Sequence, residues 1–337
     1  MRFERGEDRE NEIARAADLL RAGDLVAFPT ETVYGLGADA SNPDAVRKIF
    51  AAKGRPAEHP VIVHLPSVER LEHWAKDIPK EVYTLAETFW AGPLTLILKR
   101  SARVSNAVTG GQDTVGVRVP GHPLALKLLE AFGGGLAAPS ANRFGRISPT
   151  MAAHVRAELG DKVEMILDGG ACAVGLESTI LDMSSARARL LRPGAISLSQ
   201  LAEVLGEEPL VGTDMNTGKG KESVPKAPGT LESHYAPATP VMIAESLTDY
   251  LGENRGKKLA VLARSQQPAW LESERWLVLP GVPEAYGREL YARLRELDEA
   301  ACDEIVVEAV PDLPEWLAVR DRLRRAATKV VPNDGSF

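Results

Sequence analysis

The chain reads as an α/β protein in two parts, a larger mixed α/β body followed by a smaller parallel one. Three observations carry that reading. Short apolar runs of strand length recur between stretches of helical length along most of the chain. From 209 to 238 the pattern breaks, with Pro209, Pro225, Pro228 and Pro237 interleaved with Gly212, Gly218, Gly220 and Gly229. Beyond that break, strand and helix alternate at the spacing of a parallel sheet with crossover helices. The expected division is 1–208, a linker over 209–238, and 239–337. A length of 337 residues suits two such domains.

The first strand is expected at 25–28, where Leu25-Val26-Ala27-Phe28 is uniformly apolar. Asn42-Pro43-Asp44 then opens a helix over 43–53, with a cap residue ahead of a proline at the first helical position, and Gly54 ends it. Further strands are expected at 61–65, 94–98, 115–119, 136–138, 163–167, 179–182 and 189–191. Helices are expected at 10–22, 67–76, 79–89, 122–132 and 150–159, the last opened by Ser148-Pro149 with Ser148 as its cap. The 209–238 stretch has little that could build a core and reads as a linker, mobile at least around 214–224. In the last part, strands are expected at 241–244, 259–263, 276–279 and 304–308. Helices near 246–254, 284–301 and 315–327 fall between and after them. No G-x-G-x-x-G follows any of these strands, so nucleotide binding there has no support.

Hydrophobic content of 44% and charged content of 26% describe an ordinary globular chain. No apolar stretch approaches the roughly 18–20 residues of a membrane span, and the charged start MRFERGEDRE lacks the apolar centre of a signal peptide. Two cysteines far apart, Cys172 and Cys302, make a disulfide framework unlikely and fit a reducing cytoplasm. Net charge is −7 overall, which argues against a bulk polyanion binder. The basic residues of the first part instead sit within motifs, as Lys53, Arg55, Arg118, Arg143, Arg146 and Arg192. Such a distribution suits a small anionic ligand.

Lys53 and Arg55 flank Gly54 at a helix end, where two cations either complement the helix dipole or face a phosphate chain. Arg118 ends the strand Val115-Gly116-Val117. A cation at an otherwise apolar position must be paired, by a carboxylate of the protein or by one on a ligand. Ser140 and Asn142 follow the run Gly135-Leu136-Ala137 and either form a self-capped turn or meet a ligand at a strand end. His64 closes an apolar strand, a position that is structural or ligand-binding. No His-Cys or His-His spacing points to a protein zinc site, and no nucleophile elbow or Ser-His-Asp arrangement is present.

Residues 25–65, LVAFPTETVYGLGADASNPDAVRKIFAAKGRPAEHPVIVHL, resemble the YrdC-like family of threonylcarbamoyl-AMP synthases as a whole. Five more stretches agree in order: DTVGVRVP at 113–120, APSANRFGRISPT at 138–150, GLESTILD at 175–182, LLRPGAIS at 190–197 and SHYAP at 233–237. The resemblance implies a YrdC-like twisted sheet with packed helices, and the last part is similar to the Rossmann-like C-terminal domain of the longer members. It implies a nucleotidyltransferase that makes L-threonylcarbamoyladenylate from L-threonine, bicarbonate and ATP, releasing pyrophosphate. The product would serve N6-threonylcarbamoyladenosine formation at position 37 of tRNAs reading ANN codons.

By the same resemblance, ATP would meet Lys53, Arg55, His59, Thr114, Ser140, Asn142, Ser148, Arg192, Pro228, Gly229, His234 and Tyr235, with Lys53 and Arg55 catalytic. L-threonine would meet Thr32, His64, Arg118, Ala138 and Ser178. Mg²⁺ would arrive with ATP, held mostly by phosphates and water, and no organic cofactor is implied. Partners would be a tRNA-modifying transferase machinery and, locally, tRNA. The linker ending in His234-Tyr235 would act as a lid over a labile carbamate. One departure stands out. Longer members carry P-G-M-K-Y-[RK]-H-Y-A-P, whereas this chain has Leu231, Glu232 and Ser233 where the basic residues stand. The sequence leaves two other readings, an RNA-binding module and a carbamoyltransferase of the hydrogenase-maturation type. Only 5% aromatic residues weigh against the first, and too few cysteines for zinc fingers against the second.

Overall fold

The computed structural model describes residues 4–212, 224–229, 235–269, 273 and 275–331, and every count below refers to these. Most of the 214–224 stretch expected to be mobile, the departure at 231–233 and His234 lie outside the described residues. The chain divides into two compact units. The first holds 1–144, 149–173 and 177–230; the second holds 231–337 together with 145–148 and 174–176.

The first unit is built on a mixed sheet. Its strands are β1 (Val26–Phe28), β2 (Gly35–Asp39), β3 (Ile62–His64), β4 (Leu94–Lys99) and β5 (Thr114–Arg118). The rest are β6 (Leu136–Ala137), β7 (Met165–Ile166), β8 (Thr179–Asp182), β9 (Arg189–Arg192) and β10 (Leu210–Val211). They lie in the order β10-β9-β8-β4-β5-β3-β6-β2-β1-β7. Its helices are α1 (Glu4–Arg21), α2 (Pro43–Lys53), α3 (Leu71–Trp74), α4 (Lys80–Phe89), α5 (Asn106–Thr109), α6 (Pro123–Phe132), α7 (Ala152–Leu159) and α8 (Leu198–Leu205).

Local chemistry explains where several of these begin and end. The Asn42 side chain accepts from the amides of Asp44 and Ala45, Pro43 occupies the first turn of α2, and Gly54 closes the helix at φ 63°. On one face of the sheet, Ile13, Ala17 and Leu20 of α1 interlock with Leu124, Leu128 and Leu129 of α6 over Val26, Phe28 and Leu136. Each such leucine or isoleucine contributes about 1.5–3 kcal/mol on burial.

Several expectations are corrected. The stretch 67–76 is not one helix but a tight turn over Val68–Arg70 followed by α3. Ser148 does not cap a helix: α7 starts at Ala152 behind Met151, with no side-chain cap bond. Strand β2 was not expected, because Gly35-Leu36-Gly37-Ala38-Asp39 has neither an apolar run nor clean alternation. Its glycines make room for an aromatic ring: a Cβ on Gly37 would stand 2.8 Å from the Phe28 ring. The linker is less bare than expected, since β10 pairs with β9 and Ala227 joins a core cluster with Ile62, Ile97, Ile180 and Leu191.

The second unit is a parallel sheet of β11 (Val241–Ala244), β12 (Leu259–Ala263), β13 (Arg275–Val278), β14 (Glu304–Glu308) and β15 (Lys329–Val331), in the order β13-β12-β14-β11-β15. Helices α9 (Leu247–Glu253), α10 (Pro283–Asp298) and α11 (Leu317–Ala326) accompany it. The segment 145–148 is fastened within this unit. Arg146 pairs with Asp298 at 3.1 Å, Arg295 donates to the Ile147 carbonyl, and the Ala236 amide donates to the Gly145 carbonyl at 3.0 Å. Segment 174–176 is equally tied in, because Gly175 (φ 81°) lies so close to Arg288 that a Cβ would stand 2.5 Å from its Cα.

Candidate active site

Residues directly opposite on neighbouring strands share a face of the sheet. Ile62 of β3 and Ile97 of β4 both stand opposite Gly116 of β5, and His64 stands opposite Arg118. Those pairings set up two levels on one face. A bare patch at Gly116, flanked by Ile62 and Ile97, separates Thr114 at the start of β5 from Arg118 at its end. With a rise of about 3.3 Å per residue, the two levels lie roughly 13 Å apart.

At the Arg118 level, polar groups are almost completely enclosed. Arg118 is 3% exposed. Its Nε donates to the Gly92 carbonyl at 3.1 Å, one terminal nitrogen to Thr32 Oγ1 at 3.0 Å, and the other to Glu31 Oε1 at 2.6 Å. Thr30 Oγ1 in turn donates to the Val33 carbonyl at 2.6 Å and lies 2.8 Å from Thr32 Oγ1. The Thr32 hydroxyl therefore gives its hydrogen to Thr30 and its lone pair to Arg118. Ala138 follows directly on β6 and lies nearer the Gly116 level, its amide donating to the Ile62 carbonyl at 2.9 Å.

His64 is buried, and its Nδ1 has no hydrogen-bond partner among the described residues. Burial first, and the Arg118 charge second, push its pKa down to about 3, so the ring is neutral in ordinary conditions. Cys172 lies in the same electrostatic neighbourhood, and burial pushes its thiol up to about 12. His122 is also biased toward neutrality by burial, and its Nδ1 accepts from the Leu124 amide at the start of α6.

The other level gathers around the end of α2. The Lys53 ammonium is buried and donates to the carbonyls of Ser140 and Asn142, each at 2.5 Å. Burial, then the Arg55 charge, lower its pKa well below the ordinary lysine value. Lys53 thus pins the 138–142 loop instead of projecting outward. Arg55 donates to the Pro60 carbonyl at 2.8 Å, and His59 packs edge-on against Phe144. Burial and the nearby Arg55 charge both lower the His59 pKa. Ser140 is half-buried, whereas Asn142 is enclosed and its amide donates to the Arg143 carbonyl at 2.8 Å.

Ser178 and Arg192 form a third cluster. Ser178 Oγ lies 2.7 Å from Thr95 Oγ1, and Arg192 donates to both the Ser178 hydroxyl and its carbonyl. Arg192 also donates to the Pro228 carbonyl at 2.9 Å. Pro228 belongs to the segment 224–229, which lies on the same apolar floor: Ala227 and Val224 pack with Ile62, Ile97 and Ile180. Gln112 clasps that segment, its amide oxygen accepting from Lys226 N at 2.7 Å and its amide nitrogen donating to the Lys226 carbonyl at 3.2 Å.

Thr32, His64 and Arg118 are therefore brought together, with Ala138 further along the sheet beside Ile62, and Lys53, Arg55, His59, Ser140 and Asn142 gather at the other level. Ser178, Arg192, Pro228 and Gly229 form a neighbouring group on the same unit, with Thr114 at the strand entrance. Ser148 is fully buried in the segment that packs with the second unit. Tyr235 is committed within that unit as well. Its ring, 1% exposed, stacks on Tyr291 at 5.8 Å and lies under the Arg322 guanidinium at 5.3 Å. His234 lies outside the described residues.

Sequence reasoning missed Glu31, Thr95 and Gln112 as site residues. Glu31 sits inside the most informative motif and could have been drawn from the demand that Arg118 be paired. Thr95 and Gln112 carried no signal, since a threonine in a strand and a glutamine in a loop are ordinary. Among the described residues, no three His, Cys, Asp or Glu side chains gather as a metal-binding group, and no helix is long and apolar enough to cross a membrane.

Residues 18–194 match the family model for Sua5, YciO and YrdC, described as telomere recombination. Residues 196–328 match one described as threonylcarbamoyl-AMP synthase, C-terminal domain. The chain is similar to the threonylcarbamoyl-AMP synthase of Pyrococcus abyssi, 43% identical over 331 residues and covering 94% of each protein. It is likewise similar to that of Bacillus subtilis, 40% identical over 326 residues, covering 94% of this chain and 93% of the relative. Among solved structures it resembles P. abyssi Sua5 complexed with L-threonine, with a TM-score of 0.88 and 41% identity, covering 96% of this chain and 97% of the other.

Proposed function

The chain belongs to the threonylcarbamoyl-AMP synthase family, and from that premise we propose how its residues divide the work of the reaction. The enzyme joins L-threonine, bicarbonate and ATP into L-threonylcarbamoyladenylate, releasing pyrophosphate and water. The observation that carries the proposed site is the enclosed Arg118 fork beside Thr32 and a neutral His64. A guanidinium held this way is suited to an amino-acid carboxylate. The amino acid binds at Thr32, His64, Arg118 and Ala138, with Ser178 alongside.

ATP lies along the floor toward the other level, at Arg55, His59, Thr114, Ser140 and Asn142, with Arg192, Pro228 and Gly229 at the clasped segment. Family resemblance in the sequence adds Ser148, His234 and Tyr235. Lys53 acts on ATP through the 138–142 loop that it holds, so it is a positioning residue, while Arg55 is the cation for phosphate. The amino group of threonine takes up bicarbonate as a carbamate, with loss of water. A carbamate oxygen then bonds to the α-phosphorus as the bond to the β-phosphate oxygen breaks, and pyrophosphate leaves with that electron pair. Placement and charge neutralisation carry this step, without a covalent enzyme intermediate. Mg²⁺ would arrive with ATP and neutralise phosphate charge; the described residues offer no carboxylate cage of their own.

The working division is a catalytic part at 1–208, a linker at 209–238 and a C-terminal part at 239–337. We place the enzyme in the cytoplasm, passing its product to a transferase that modifies adenosine 37 of tRNA. The decisive assay is pyrophosphate release with all three substrates present. Release that persists without threonine or bicarbonate would reject the reading. A direct tRNA contact would show as affinity falling steeply with salt.

A further inference from the structure

We infer that Glu31 is the residue that binds the α-ammonium of the amino-acid substrate, as the second half of a charge pair matched to a zwitterion. This inference rests on the reading of Arg118 as the carboxylate site. A guanidinium has five N–H donors. Gly92, Thr32 and Glu31 take three of them, leaving one on each terminal nitrogen of Arg118. A ligand carboxylate can therefore engage both terminal nitrogens without displacing Glu31. The Glu31 carboxylate accepts one bond on each oxygen, from Arg118 at 2.6 Å and from the Gly121 amide at 2.8 Å. Each oxygen keeps a second acceptor position.

An α-amino acid carries its two charges on adjacent groups, so its counter-charges must be adjacent too. Arg118 and Glu31 meet that demand at 2.6 Å, with side chains 4% and 13% exposed. An ammonium entering so enclosed a place needs an anion beside it, because leaving a buried charge unpaired is strongly unfavourable. Three neighbouring titratable groups cannot supply one. His64 and His122 are both biased toward the neutral form, and the Cys172 thiol is pushed up to about 12. Glu31 is also fixed in place. A Cβ at residue 121 would stand 3.3 Å from its carboxyl carbon and 3.2 Å from the Ala91 carbonyl oxygen, so glycine is what lets that amide approach.

The competing role is purely structural, with Glu31 only holding Arg118. Glu31→Gln separates the two, since it keeps the shape and removes the charge; its single amide oxygen can serve Gly121 or Arg118 but not both, and any loss that comes through Arg118 falls equally on a ligand that has only the carboxylate. Calorimetry on the full chain would compare L-threonine with 3-hydroxybutyrate, which has the carboxylate and hydroxyl but no amine. Threonine should bind roughly ten- to a hundredfold more weakly to the variant, while the hydroxy acid changes less than about twofold. Equal losses for both ligands, or no loss for threonine, would overturn the inference. If the hydroxy acid binds too weakly to measure, threonine affinity is followed across the titration of its own amino group. Wild-type affinity should fall as the ammonium deprotonates and that of Glu31→Gln should stay flat; parallel curves reject the assignment. Arg118→Lys is the control for the underlying reading. Unchanged threonine affinity there sinks the carboxylate site itself, whereas a loss there with an unaffected Glu31→Gln sinks only the role of Glu31.

Discussion

His64 lies edge-on to Phe28 with ring centroids 6.0 Å apart and stands in register with Arg118. Between its ordinary value of 6.5 and about 3, the unfolded chain holds a proton on this ring and the folded chain does not. Stability there must rise with pH, by about 1.4 kcal/mol per pH unit for one proton. His64→Gln should make the acid limb shallower by about that slope in denaturant melts taken from pH 3.5 to 6; an unchanged limb would mean that the ring is charged when folded. Lys53 and Arg55 separate in a similar way. Lys53→Ala strands two carbonyls and is expected to cost about 1.5–3 kcal/mol of stability as well as ATP use. Arg55→Ala should leave melting nearly unchanged while ATP affinity falls roughly ten- to a hundredfold. Equal melting losses for both variants would remove the distinction between pin and phosphate ligand.

Helix α2 shows how much an element owes to its own sequence. Asn42, Pro43 and Gly54 set its ends through local hydrogen bonds and a left-handed closing residue, all legible in advance. Asn42→Ala should therefore cost about 1 kcal/mol. The segment 224–229 is the opposite case, since its prolines and glycine advertise a loop and nothing in them announces a partner. Its position depends on Gln112, more than a hundred residues earlier in the chain. Gln112→Ala is expected to raise trypsin cleavage after Lys226 several-fold while global melting stays nearly constant. Unchanged cleavage would show that Arg192 and the packing of Ala227 suffice. Strand β2 was illegible for a related reason, as its glycines earn their place only against the Phe28 ring of the adjacent strand.

For the whole molecule, the division into compact units departs from chain order, because 145–148 and 174–176 pack with residues beyond 231. Asp298 gathers Arg146 and the amides of Ala238 and Thr239. Asp298→Ala should speed hydrogen exchange at those two amides well beyond the change in global stability. A 1–208 fragment lacks the partners of both segments and is expected to melt below the full chain; a fragment as stable as the intact protein would show that those contacts carry little. The sequence by itself determined most of the strands and helices, the Arg118 demand for a carboxylate, and the family with its reaction. Those follow from side-chain periodicity, capping chemistry and ordered motifs, all of which act over a few residues. Only the tertiary structure decided that Glu31 answers Arg118, that Lys53 turns inward onto a loop, and that Tyr235 is enclosed by Tyr291 and Arg322. Each of these depends on register and packing between residues distant in the chain, where burial and electrostatics choose among partners that local sequence cannot rank.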